Sequence, residues 1–145
     1  MDLKKILLVE DDPQDVDLTL QALSEYNLAN QVAVVRDGVE ALDYLHARGA
    51  FAGRANQNPV VVLLDLKMPR LDGISVLREM KNSEALKMIP VVILTSSRES
   101  QDLVECYQLG VNAYVVKPVK FTEFIGAVKG LGLFWAMINE PPLTA

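Results

Sequence analysis

The stretch "NPVVVLLDLKMPRLDG", residues 58–73, decides the fold. Val60 to Leu64 is an unbroken apolar run, the pattern of a strand buried on both faces. The run ends on a carboxylate, Asp65, and Met68-Pro69 stops it soon after. Strands buried on both faces belong to parallel sheets covered by helices, and such sheets place their sites at the carboxyl ends of the strands. An aspartate at the end of the most apolar strand is therefore read together with whatever ends the other strands.

Working outward, short apolar runs alternate with amphipathic stretches. "KILLVE" at 4–10 reads as a strand. The helical spacing of Val16, Leu20 and Leu23 follows it, with Asp12 placed to cap the helix before Pro13. "QVAVVRD" at 31–37 is a second strand, and "GVEALDYLHARG" at 38–49 a helix ended by Gly49. "GISVLREMKNS" is the helix after Asp65. "PVVILTSS" at 90–97, "SQDLVECYQLG" stopped by Gly110, "AYVVKP" at 113–118 and a last helix from about Phe121 complete the pattern. Five strands alternating with five helices define an α/β fold, a doubly wound five-stranded parallel sheet. The segment 47–59 is a longer loop than such connections need, an insertion or a mobile surface segment.

At 145 residues the chain has the size of one domain. Its net charge of −5 offers no basic face for nucleic acid. A single cysteine, Cys106, excludes an internal disulfide, and its apolar helical setting marks it as a buried structural residue. No run approaches the length of a membrane span, and the N-terminus lacks the apolar stretch of a signal peptide. The expected location is the cytoplasm. The lone histidine, His46, is expected to be exposed and not catalytic.

Four strands end in groups suited to chemistry: Glu10, Asp11 and Asp12; Asp65; Thr95; and Lys117-Pro118. Converging carboxylates raise one another's pKa unless a hard cation relieves them, and Mg2+ suits a site of a few protein oxygens plus water. Thr95 offers a hydroxyl and Lys117 a fixed charge for the oxygens of a phosphoryl group in transfer. A carboxylate is an adequate nucleophile for that group. The combination reads as a site that takes a phosphoryl group onto Asp65. Which of the three acids after strand one face the cation is left open by the residues, although Asp12 suits the cap better.

With "LLVEDD", "LLDLKMPRLDG", "ILTSS" and "AYVVKP" in this order, the chain resembles a CheY-like receiver domain of a two-component response regulator, flavodoxin-like in fold, over residues 4–130. The resemblance implies that Asp65 is the phosphoacceptor, with Mg2+ held by Asp11, by Glu10 through water, by Asp65 and by the backbone carbonyl of Lys67. It implies that Thr95 and Lys117 bind phosphoryl oxygens, that Thr95 and Tyr114 move together as a switch, and that the Lys117–Pro118 peptide is cis. The donor would be a sensor histidine kinase, and the chain would catalyse only its own phosphorylation and dephosphorylation.

Three other readings compete with it. A flavodoxin-like cofactor-binding domain needs a Gly/Ser/Thr-rich loop after strand one, where three acids stand instead. An aspartate-nucleophile phosphatase needs a second carboxylate where Lys67 stands. A non-phosphorylated interaction module is disfavoured by the complete set of acceptor-site residues.

Residues 1–130 would then be the receiver and 131–145 an apolar extension, with no output domain, so that output passes by contact with an unidentified downstream protein. Leu133, Phe134, Trp135, Met137 and Ile138 exceed what one helix face buries. They either fold back on their own core or form an interface; the favoured reading is a homodimer through Phe134 and Trp135. The tail, the long loop and the short format resemble the small regulators paired with cyanobacterial and bacterial phytochromes, which would make the kinase a phytochrome.

Overall fold

The computed structural model describes residues 6–25, 28, 31–53, 58–68, 70–95, 100–117, 122, 123 and 126, with the side chains of 95 and 100–103 outside that set. Five strands, β1 (Ile6–Val9), β2 (Val32–Val35), β3 (Val61–Asp65), β4 (Val91–Thr95) and β5 (Ala113–Val116), form one parallel sheet in the order β2-β1-β3-β4-β5. Four helices connect them: α1 (Pro13–Ser24), α2 (Gly38–Leu45), α3 (Gly73–Lys81) and α4 (Ser100–Gln108). Thr122, Glu123 and Gly126 are helical where the fifth helix was expected. The start of that helix at Phe121, the Lys117–Pro118 peptide and the tail with Phe134 and Trp135 lie outside the described residues.

Alternation along the strands divides the core in two. Leu7, Val9, Val62, Leu64, Val91 and Ile93 face α2 and α3, where Leu42, Leu45, Val76, Leu77 and Met80 complete one buried cluster together with Cys106 from α4. Ile6, Leu8, Val61, Leu63, Val92, Leu94 and Val115 face the other way, onto Val16, Ala22 and Leu23 of α1. Every residue of β3 is buried, as its unbroken apolar run requires.

Three aspartates start helices at the carboxyl edge of the sheet. Asp12 accepts a hydrogen bond from the Gln14 N–H at 2.8 Å, Asp37 from that of Glu40 at 2.8 Å, and Asp72 from that of Ser75 at 2.8 Å. Each satisfies a backbone donor that the first helical turn leaves open. The "RDG" after β2, which reads as a turn, is thus the cap of α2, reinforced by Glu40 accepting from the Arg36 N–H at 3.2 Å.

Helix α2 does not run to Gly49. It ends at Leu45, with His46 exposed at its cap, and Ala47 takes the left-handed conformation at φ 52° that glycine was expected to supply. Gly49 instead opens a 3-10 turn, Gly49–Phe51, and the Phe51 ring meets Tyr44 edge-on at 5.2 Å. That contact docks the first part of the long loop onto α2; residues 54–57 lie outside the described set.

Two glycines allow the loops around β3 to close. A Cβ on Gly73 would overlap the carbonyl oxygen of Asp65, and one on Gly38 the carbonyl oxygen of Leu71. Gly73→Ala and Gly38→Ala are each expected to cost about 1–3 kcal/mol in urea denaturation, because backbone must move to admit the methyl group. Gly53→Ala meets nothing within 4 Å and is expected to be neutral.

Candidate functional site

Register assembles the site. Val9 pairs with Leu64, so Glu10 and Asp65 stand level at the ends of neighbouring strands. Asp65 pairs with Leu94 and Leu94 with Val115, which places Lys117 two residues beyond that row. Glu10, Asp65 and Lys117 continue the alternation of Leu8, Leu63 and Val115, so all three emerge on the face covered by α1. The first turn of α1 adds Asp15 on the same side.

The Lys117 ammonium is the centre of this group. It lies 2.5 Å from Glu10 Oε1, 2.8 Å from Asp15 Oδ2 and 3.3 Å from Asp65 Oδ2. Glu10 and Asp65 are only 1% and 5% exposed, so their charges are held largely out of water. Burial pushes Glu10 up to about 7, with the Asp65 charge adding to the rise; Lys117 and the Asp12 N–H oppose it. Burial also raises Asp65, against Lys117, Glu10 and the Lys67 N–H, which favour its ionised form. Burial alone would lower Lys117, but the Asp15 carboxylate that accepts its hydrogen bond and the close Glu10 and Asp65 carboxylates outweigh it and hold the lysine above its ordinary range.

Glu10, Asp11 and Asp65 each offer an oxygen within 4.8 Å of the others. The Glu10 Oε1 atom, though beside the lysine, has no directed hydrogen bond, while Oε2 accepts from the Asp12 N–H at 3.2 Å. Three hard oxygen donors, one with unused accepting capacity, fit a divalent cation.

The structure therefore brings Glu10, Asp11, Asp65 and Lys117 together and leaves Asp12 exposed as a helix cap. Lys67 turns its N–H to the Asp65 carboxylate. Tyr114 packs, partly buried, against the core cluster on the α2–α3 side. The Thr95 backbone ends β4, and its side chain lies outside the described residues.

Two participants were missed in the sequence. Asp15 could have been found as the acid one helical turn after Asp11. Arg70, at φ 67° in the loop after β3, donates to the buried Asp37 at 3.2 Å and ties that loop to the cap of α2. A left-handed arginine has no sequence signature.

A cation-ready acidic cluster beside a lysine, at the carboxyl edge of a 2-1-3-4-5 parallel sheet, agrees with what the comparisons return. Residues 6–129 match the response regulator receiver domain, and the chain belongs to that family. It is 58% identical to the bacteriophytochrome response regulator AtBRR, whose structure aligns with a TM-score of 0.84 over 97% of this chain and 100% of that one. Response regulator Rcp1 of Synechocystis sp. is 36% identical over 132 residues, 91% of this chain and 88% of that protein. A structure of the Mn2+-bound form of Rcp1 aligns with a TM-score of 0.75 at 35% identity, over 97% of this chain and 98% of that one. The probable methanogenesis regulatory protein FilR2 of Methanothrix harundinacea is 38% identical over 137 residues, 94% of this chain and 86% of that protein. Among the described residues no helix is long and apolar enough to cross a membrane.

The raised carboxylates make stability depend on pH in a defined sense. Glu10 binds its proton more tightly when folded, so its favourable contribution is complete below about 4.5 and is lost as pH rises through about 7. Without divalent cation, Glu10→Gln is expected to raise the melting temperature at pH 8 by about 4 °C or more. At pH 4 the variant should gain nothing. Melting curves at both pH values, with and without Mg2+, check this; a variant less stable at pH 8 would contradict it.

Proposed function

We propose that this chain accepts a phosphoryl group from a phosphohistidine of a sensor histidine kinase onto Asp65. The observation that carries the reading is the meeting of buried Asp65 with Lys117 at 3.3 Å inside the acidic cluster. An Asp65 oxygen attacks phosphorus in line, and the phosphorus–nitrogen bond to the donor imidazole breaks as the new phosphorus–oxygen bond forms. The electron pair of the broken bond stays on the imidazole nitrogen, and Asp65 becomes an acyl phosphate. Lys117 donates to a phosphoryl oxygen, and the Thr95 hydroxyl to another.

Asp11, Asp65, the Lys67 carbonyl and, through water, Glu10 would hold Mg2+. The cation would supply positive charge that offsets the carboxylates and the phosphoryl oxygens. The added phosphoryl charge biases a two-state element in which Thr95 and Tyr114 shift together. The chain acts in the cytoplasm by protein contact and catalyses nothing beyond its own phosphorylation and dephosphorylation.

Similarity to bacteriophytochrome response regulators along nearly the whole chain supports a phytochrome as the kinase. The apolar tail, with Phe134 and Trp135, supports a homodimer.

Incubation with Mg2+ and acetyl phosphate is expected to add the mass of one phosphoryl group. Asp65→Asn should add none, and equal addition to that variant would contradict the assignment. Light scattering at tens of micromolar should report a dimer that Trp135→Ala weakens; a monomer at that concentration would remove the interface.

A further inference from the structure

Lys117 meets three carboxylates, and only two of them belong to the cation cluster. Glu10 and Asp65 are shared between the ammonium and any bound cation. Asp15 stands outside that cluster, on the first turn of α1, yet it accepts a directed hydrogen bond from Nζ at 2.8 Å. The Lys117 side chain is largely enclosed, at 11% exposure, so water does little to replace a lost partner. When a cation draws the Glu10 and Asp65 oxygens to itself, the lysine needs another anionic partner close by.

We propose that Asp15 is a positioning residue for Lys117: it holds the ammonium at the edge of the site and so releases Glu10 and Asp65 for the divalent cation. This deepens the metal-dependent reading of the site and rests on it. Without the Asp15 charge, the pull of the ammonium falls wholly on Glu10 and Asp65, where it competes with the cation for the same oxygens. With Asp15 present, the lysine keeps one partner throughout and stays within reach of a phosphoryl oxygen. Asp15 touches neither cation nor phosphoryl group and acts through Lys117 alone.

Calorimetric titration of Mg2+ into the whole chain tests this. Asp15→Asn is expected to weaken Mg2+ binding about ten-fold, as loss of an outer-shell partner does in other metal sites. Asp15→Ser should weaken it to the same extent. Asp17→Asn makes the same charge change on the same helix at an exposed position and is expected to alter binding less than about two-fold. In a Lys117→Gln background, Asp15→Asn should change the affinity no more than Asp17→Asn does.

An Asp15→Asn affinity equal to that of Asp17→Asn would overturn the inference and leave the metal site standing. So would an Asp15→Asn loss of full size in the Lys117→Gln background. Failure of the unsubstituted chain to bind Mg2+ would overturn the metal site and this inference together.

Discussion

The contact between one partly buried lysine and the carboxylates at the strand ends is the constraint on which the site depends. Ionised groups taken out of water each cost several kcal/mol after relaxation, and the cost is recovered only through close, well-directed partners. Glu10 and Asp65 are buried because the strands that carry them are buried, and the parallel register sets them side by side. Their repulsion is offset by Lys117, whose ammonium reaches both. The offset is incomplete, since burial still raises both acids. An acidic pair left partly uncompensated receives a cation favourably, and a cation makes the pocket hospitable to a phosphoryl group.

This balance explains why the apolar run "VVLLD" ends as it does. Burial of Val61 to Leu64 between two helical layers leaves the strand no freedom to slide, because a shift by one residue would exchange its two faces. Asp65 is positioned by core packing rather than by its own contacts. The Gly73 approach to the Asp65 carbonyl and the Arg70–Asp37 pair then shape the loop that follows. Rigid strands hold the reactive groups, and the loops close around them.

Much of this was legible in the sequence, for reasons that are local. The doubly apolar run of β3 announces a parallel sheet, and the polar residues after each strand announce the edge at which a site forms. Asp12 as a cap follows from its place before Pro13. What was not legible depends on how elements cross one another. Asp15 reaches Lys117 across 102 residues of chain because α1 lies over one face of the sheet at a particular rotation, which hydrophobic spacing states only coarsely. Arg70 and Asp37 meet because two loops approach at Gly38, and nothing in either loop names the other. The early end of α2 is a third case: Ala47 accepts the left-handed conformation two residues before the glycine suited to it. There tertiary packing, with Phe51 against Tyr44, overrides the local preference.

The central claim is that Asp65, and none of the three acids after β1, carries the phosphoryl group. Borohydride reduction tests it most directly, because hydride displaces phosphate from an acyl phosphate and converts that aspartate to homoserine while free carboxylates are untouched. After phosphorylation and reduction, peptide sequencing by mass spectrometry is expected to find homoserine at position 65 alone. Homoserine at position 11 or 12, or at none, would contradict the account.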